Sequence, residues 1–156
     1  MSDEHFMRLA IDKTRQGLKA GQMPFGAVIV RDGEIVACEH NVVWATMDIT
    51  AHAEVTAIRK ACLVCQSIDL SGCCIYSTTE PCPMCFSACH WAKLDRIVYG
   101  AEIDDARAAG FSELPIGNLE MKRQGGSKIE IVPRFLHDEA VELFRIYSRQ
   151  AGKRSY

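Results

Sequence analysis

The sequence predicts an α/β fold in which helices cover both faces of a mixed five-stranded sheet. The dipeptide Asp32-Gly33 between two apolar runs is a strong signal for a hairpin, so the first two strands are expected to be antiparallel. The later strands alternate with helical segments, which indicates parallel strands joined by helical crossovers. With 156 residues, 48% of them hydrophobic, the chain can bury one core, and we expect one domain over residues 1–156.

Periodicity and turn signals predict the elements in chain order. The first helix extends over about Asp3–Ala20, where apolar side chains recur at helical spacing before a glycine. Strands over 25–30 and 34–38 flank the hairpin turn, and Asp48 or Thr50 is expected to cap the second helix. The remaining elements are a helix over 51–65, a strand over 73–79, a helix from Pro81 or Pro83 to Lys93, strands over 96–101 and 128–132, one short helix near 104–109 and a closing helix over 137–150.

Charge and cysteine content restrict the function classes. Eighteen Lys and Arg residues against twenty Asp and Glu residues give a net charge of -2, without the basic field of a dedicated nucleic-acid binder. The acidic start of the sequence does not resemble a secretory signal, and no apolar run is long enough to span a membrane. Eight cysteines in this context indicate reduced thiols or metal ligands, and we expect a cytoplasmic protein.

Two short segments combine residue types that bind a metal and transfer protons. Thr50-Ala51-His52-Ala53-Glu54 and Glu80-Pro81-Cys82-Pro83-Met84-Cys85 each stand at the start of a predicted helix. Because Cys82 and Cys85 are three residues apart, both sulfurs lie on one side of the first turn, where helix N–H groups favour thiolates. These thiolates and the imidazole of His52 make three ligands and leave a fourth tetrahedral position open, as in catalytic zinc sites. Glu54 can then accept a proton without binding the metal.

A structural alternative uses a different pair of cysteines. Cys62-Leu63-Val64-Cys65 precedes the second segment at a spacing that fits a four-cysteine zinc ribbon, a binding module without catalysis. However, Cys62 and Cys65 end a long helical run, and the ribbon leaves His52 and Glu54 without a role. We therefore favour the catalytic site and interpret the other cysteines as packing residues.

With these two segments the chain resembles the cytidine deaminase-like superfamily of zinc hydrolases. The similarity extends from Pro24 to Ile97 and is densest over 50–62 and 80–85. It is greatest to the bacterial guanine deaminases, followed by the tRNA adenosine deaminases and cytosine deaminases. The resemblance implies a three-layer α/β/α fold, one zinc ion per subunit and a homodimer, with or without an exchanged C-terminal tail.

The resemblance also implies roles for individual residues. Zinc would bind His52, Cys82 and Cys85, Glu54 would carry protons, and Glu113 would help to protonate the leaving amine. Asp104 and Asp105 compete with Glu113 for that role. The residues implied in substrate binding are Asn41 at the base edge, Phe25 and Trp91 as pocket walls, Ala53, and Tyr156 closing the pocket of its own or a partner subunit.

The expected reaction is the hydrolysis of guanine to xanthine and ammonia. The run Ala109-Gly110-Phe111 with Glu113, and Tyr156 after two basic residues, favour guanine within the superfamily. Two departures matter: Ile49 stands where relatives have proline, and Glu113 stands where guanine deaminases have aspartate. A tRNA-specific adenosine deaminase, with tRNA as partner, is the main alternative, and a cytosine or other pyrimidine deaminase is the third.

Overall fold

The structure is a computed structural model that describes residues 2–156. The helices are α1 (Asp3–Lys19), α2 (Val43–Thr46), α3 (Ala53–Cys65), α4 (Pro83–Trp91), α5 (Ile103–Ala108), α6 (Asn118–Gly125) and α7 (His137–Ser148). The strands are β1 (Gly26–Arg31), β2 (Glu34–His40), β3 (Cys73–Thr79), β4 (Arg96–Ala101) and β5 (Glu130–Val132).

The strands form one mixed five-stranded sheet in the order β2-β1-β3-β4-β5, which confirms the predicted fold class. Strand β1 is antiparallel to both β2 and β3, whereas β3, β4 and β5 are parallel. The predicted hairpin turn is present. Asp32 and Gly33 have φ angles of 52° and 80°, and positive values at both positions are what a two-residue type I′ turn requires.

Helices cover both faces of the sheet. Successive side chains of a strand point to opposite faces, and on β3 the ring of Tyr76 contacts Phe6 of α1 while Ser77 hydrogen-bonds with Glu54 of α3. Helix α7 contacts α1, and α4 contacts α3, so each pair forms one outer layer. This arrangement is the predicted three-layer sandwich.

Apart from shifts of one or two residues at element ends, the predicted elements need three corrections. His52, rather than Asp48 or Thr50, is the N-cap of α3, because the Asp48 carboxylate instead accepts hydrogen bonds from the backbone and hydroxyl of Thr50. The short helix α2 was not predicted. Helix α6 was not predicted either, because its polar, glycine-flanked sequence shows no apolar periodicity.

The topology brings three chain segments to one edge of the sheet. Strand β3 ends at Thr79, and the antiparallel β1 begins beside it, with the Gly26 amide donating to the Thr78 hydroxyl. The last residue of β2, His40, pairs with Gly26. The helices that follow β2 and β3 along the chain therefore start near this edge. Among the described residues, no helix is both long and apolar enough to cross a membrane.

Candidate active site

Three potential metal ligands converge where α3 and α4 begin. His52 is the N-cap of α3, Cys82 is the N-cap of α4, and Cys85 lies in the first turn of α4. Their ligand atoms all lie within 4.8 Å of one another, and Nδ1 of His52 is 3.6 Å from Sγ of Cys82 and 3.5 Å from Sγ of Cys85. The sequence predicted this grouping, and the structure brings the three residues together.

The donor set and its spacing fit zinc. Zinc–sulfur and zinc–nitrogen bonds of about 2.3 and 2.05 Å at the tetrahedral angle separate the two ligand atoms by about 3.6 Å. The two sulfur–nitrogen distances match that value. A hydrogen bond from Cys85, together with the nearby His52, lowers the pKa of Cys82 to about 4, which favours the thiolate form of this sulfur.

Glu54 lies beside these ligands but is not one of them. Its side chain is on the first turn of α3, and the residue is 5% exposed. Burial raises the pKa of Glu54, which makes the carboxyl group readier to hold a proton. The Ser77 hydroxyl group hydrogen-bonds with Oε1 of Glu54 at 2.8 Å and donates to the Thr79 carbonyl at 2.6 Å. Ser77, which the sequence did not indicate, therefore fixes the orientation of the carboxyl group.

A second carboxyl group enters the same space from an irregular segment. Glu113 lies between α5 and α6, and burial, followed by the nearby Cys82, raises its pKa to about 7. The competing candidates are placed elsewhere. Asp104 is exposed and pairs with Arg107, while Asp105 accepts a hydrogen bond from the Glu102 amide and pairs with His137. Of the three acids, the structure brings only Glu113 to the ligand group.

Two adjoining cavities share His52, Cys82 and Glu113. The outer cavity has a volume of about 320 Å³, within the range of small-molecule pockets. The inner one is narrow and lies against Glu54. The outer cavity is lined by Ile49, His52, Cys82, Pro83, Met84, Ser112, Glu113, Leu114 and Tyr156. The inner cavity is lined by Phe25, His52, Glu54, Thr79, Glu80, Cys82 and Glu113.

Tyr156 lines the outer cavity of its own chain. Its ring centroid lies 5.5 Å from that of His52, and its backbone carbonyl accepts a hydrogen bond from the Ser112 amide. Asn41, which is fully buried, donates from Nδ2 to the Tyr156 hydroxyl at 2.6 Å and accepts from the Val43 amide at 3.1 Å. Asn41 thus lies one hydrogen bond behind Tyr156 rather than on the cavity wall.

The other residues predicted to bind substrate have mixed outcomes. Phe25 lines the inner cavity and packs edge-on against Phe111. Trp91 does not wall this pocket: it ends α4, six residues beyond Cys85, and is 82% exposed beside His90. Ala53 is fully buried and lines neither cavity, because the first turn of α3 points its side chain into the core.

The four-cysteine alternative does not match the geometry. Within residues 2–156, His52, Cys82 and Cys85 form one of two groups with metal-ligand spacing, and neither group includes Cys62 or Cys65. The other group is Glu102, Asp105 and His137, in which a capping box and ion pairs already occupy the carboxylates. Of the two predicted ligand sets, the one with His52, Cys82 and Cys85 is therefore the one whose atoms have metal-ligand spacing in the structure.

The comparisons with known proteins agree with this site. Residues 1–101 match the sequence profile of the cytidine and deoxycytidylate deaminase zinc-binding region. The chain belongs to this family. Zinc is accordingly the metal that fits the three-ligand group, and the fold and the ligand set together are those of a zinc-dependent deaminase. Glu113 and Tyr156 lie beyond the matched region.

Individual relatives extend the comparison beyond residue 101. The guanine deaminase of Bacillus subtilis is 48% identical over 114 residues, which cover 72% of this chain and 73% of the relative. The tRNA-specific adenosine deaminase of the same organism is 31% identical over 152 residues, covering 97% and 92% of the two chains. The structure of a guanine deaminase from Nitrosomonas europaea has a TM-score of 0.86 at 28% identity, covering 96% of this chain and 86% of that one.

Proposed function

We propose that this protein is a zinc-dependent deaminase that hydrolyses guanine to xanthine and ammonia. The observation that carries the proposal is the pair of carboxyl groups, Glu54 and Glu113, that line one small cavity together with His52 and Cys82 of the three-ligand group. Burial raises the pKa of both, as proton transfer near neutral pH requires. The identities with guanine deaminases favour guanine among the candidate bases.

His52, Cys82 and Cys85 would hold the zinc ion. When bound, zinc supplies a Lewis acid that activates water for attack on carbon. Glu54 takes a proton from the attacking water and delivers it to the ring nitrogen beside the amine-bearing carbon, while the new C–O bond forms. Glu113 donates a proton to the amine, the C–N bond breaks, and ammonia leaves. The proton of the new hydroxyl group passes to the Glu113 carboxylate as the carbonyl forms, which restores both carboxyl groups to their starting states, and one water is consumed for each ammonia released.

The pocket favours a free base over a nucleotide within a strand. Tyr156 covers the outer cavity, and Phe25 presents an apolar wall at the inner one. We propose that the base lies between these rings, with one edge toward Tyr156, whose hydroxyl group accepts a hydrogen bond from the buried Asn41. Ordering of the tail over the site excludes bulk water during the reaction.

Ammonia release from zinc-loaded protein tests the proposal. Guanine, cytosine, adenine, their nucleosides and the aminated triazine ammeline are offered at equal concentration. We expect turnover of guanine well above that of the other substrates, and Glu54→Gln protein with equal zinc content serves as the inactive control. Turnover of cytosine or ammeline instead of guanine would overturn the substrate assignment. If no ammonia is released from any free base or nucleoside, tRNA is the favoured substrate.

Deamination of adenosine in tRNA is the second candidate, because a tRNA-specific adenosine deaminase matches nearly the whole chain. The distribution of charge does not favour tRNA as the substrate. The net charge is -2, and basic side chains lie beside acids, as Arg59 does beside Asp48 and Arg123 beside Glu120, so the chain lacks an uninterrupted basic surface at these positions. A tRNA complex that weakens steeply with added salt would support this candidate.

We further propose a cytoplasmic homodimer. None of the eight cysteines forms a disulfide bond, which suits a reducing compartment. The neighbouring helices α3, α4 and α6 expose large apolar side chains, including Leu63, Trp91 and Leu119, and such side chains favour a partner surface. Light scattering of the purified protein would give twice the chain mass.

Exchange of the C-terminal tail between subunits would require Tyr156 to leave its own pocket. Mixed dimers of Tyr156→Ala chains and Glu54→Gln chains test this exchange, because activity is restored only if the tail of one chain reaches the site of the other.

A further inference from the structure

Glu80 is a buried carboxylate that the mechanism above does not use. The residue is 9% exposed and lines the inner cavity together with Glu54 and Glu113. Both of its oxygens accept hydrogen bonds from backbone amides. Oε1 accepts from Asn118 at 2.7 Å, and Oε2 accepts from Ile103 at 3.2 Å. A buried carboxylate with two amide donors is held in a defined position.

The two amides that Glu80 binds stand at the two ends of the segment that carries Glu113. Ile103 is the first residue of α5, and Asn118 is the first residue of α6. The Glu80 carboxylate therefore attaches both ends of this segment to the chain at a point two residues before Cys82. A further bond strengthens the attachment, because Asn118 donates from Nδ2 to the Pro81 carbonyl at 2.6 Å.

The backbone at the second anchor is shaped around the same carboxylate. Gly117 has an ordinary φ of -73°, so its backbone conformation does not require glycine. A Cβ atom there would lie 2.9 Å from Oε1 of Glu80 and 3.8 Å from its Cδ, and would have no other neighbour within 4 Å. The lack of a side chain at residue 117 therefore leaves space for the Glu80 carboxylate.

We propose that Glu80 is a positioning residue that fixes Glu113 against the zinc ligands, with Gly117 and Asn118 completing the anchor. The inference rests on the proposed function, in which Glu113 protonates the leaving amine. Between its two anchored ends the segment runs partly as irregular chain, which by itself does not hold a carboxyl group to within an ångström. A misplacement of about 1 Å can cost about 100-fold in rate, so the anchor has a catalytic consequence although Glu80 transfers no proton.

Glu80→Gln in the full-length, zinc-loaded protein is the first test. Glutamine keeps the size of the side chain, but its NH₂ group faces one of the two backbone amides, and that hydrogen bond is lost. We expect kcat for guanine to fall about 10- to 100-fold, with KM changed by less than about 3-fold and zinc content unchanged. Glu120→Gln, in the first turn of α6, is the matched control and should leave kcat unchanged, because its carboxylate is paired with Arg123 outside both cavities.

A double-mutant cycle separates positioning from a general loss of stability. If Glu80 acts through Glu113, the protein with both Glu80→Gln and Glu113→Gln should be no slower than Glu113→Gln alone. If the two losses of kcat multiply in the double variant, the two residues act independently and the proposal is wrong. Gly117→Ala provides a second variant that keeps Glu80 and disturbs only its Oε1, and it should reproduce the loss of kcat on a smaller scale even if Glu80→Gln folds poorly.

Amide hydrogen exchange provides a readout that does not depend on activity. In Glu80→Gln protein, exchange should accelerate over residues 103–118 and stay unchanged in β1 and β3. Unchanged exchange over 103–118 would overturn the anchor. If the wild-type protein fails to release ammonia from guanine, the proposed function fails, while the exchange result still decides whether Glu80 holds this segment.

Discussion

Two regions of the molecule meet at the active site and are built in opposite ways. The ligand region, residues 50–54 and 80–85, forms the starts of two helices, and its key atoms are buried: Cys85 is fully buried and Glu54 is 5% exposed. The closing region, residues 109–118 and 153–156, consists mainly of irregular chain and exposes Leu114 at 62%. Helix geometry positions the first, whereas single tertiary hydrogen bonds position the second.

This difference should separate the residues on which the reaction depends entirely from those that modify it. In the ligand region, a helical turn sets the distance between the two sulfurs, so the spacing of residues in the sequence fixes the geometry. In the closing region, bonds such as the one from the Ser112 amide to the Tyr156 carbonyl link residues far apart in the chain. Substitutions in the ligand region should therefore abolish the reaction, and those in the closing region should change its rate, pH dependence and substrate affinity.

The largest effect is expected from loss of a ligand. Cys85→Ala should remove zinc and reduce activity on guanine by about four orders of magnitude or more, because two remaining ligands do not hold a catalytic ion. Zinc content by atomic emission and initial rates of ammonia release measure the two losses together. Cys89→Ala is the control, since Cys89 is a buried thiol one turn further along α4 and belongs to no ligand group. Loss of zinc from that variant as well would contradict the assignment.

Glu54→Gln should separate metal binding from proton transfer within the ligand region. The residue is not a ligand, so zinc content should stay at one ion per chain. Turnover should fall by about 100- to 10,000-fold, the usual contribution of a positioned acid–base group. If zinc were lost in parallel with activity, Glu54 would be a ligand or a structural support of the site instead.

Glu113→Gln tests the closing region, and we expect a smaller loss of kcat there than in the ligand region. Burial, followed by the neighbouring Cys82, raises the pKa of Glu113 to about 7. The donor is protonated below that pH and ionised above it, so kcat should fall as the pH rises through about 7. Glutamine cannot donate this proton, and we expect kcat to drop about 10- to 100-fold with that alkaline decline removed. A pH–rate profile of both proteins from pH 5.5 to 9 measures the effect. An unchanged decline in the variant would assign it to another group.

The same contrast explains how far the sequence could predict the molecule. The hairpin, β3, β4 and the ligand set follow from local signals, namely Asp32-Gly33, continuous apolar runs and residues at helical spacing. The closing region offers no such periodicity. Glu113 lies on a segment whose ends contact Glu80 through hydrogen bonds between residues 23 and 38 positions apart, and no local pattern encodes such contacts. Trp91 does not wall the pocket because it lies at the exposed end of α4.

The smallest effect is expected from Tyr156→Phe, at the far end of the closing region. The substitution keeps the ring over His52 and removes the hydroxyl group that accepts from Asn41. In the variant, Nδ2 of Asn41 has no hydrogen-bond partner in a fully buried position, and this destabilises the closed pocket by about 1–3 kcal/mol. We expect KM for guanine to rise about 5- to 50-fold with kcat changed little, because the proton-transfer groups stay in place. Steady-state kinetics distinguish the outcomes: a loss confined to kcat would place the Tyr156 hydroxyl group in the chemical step, and an unchanged KM would mean that the Asn41–Tyr156 hydrogen bond does not contribute to substrate binding.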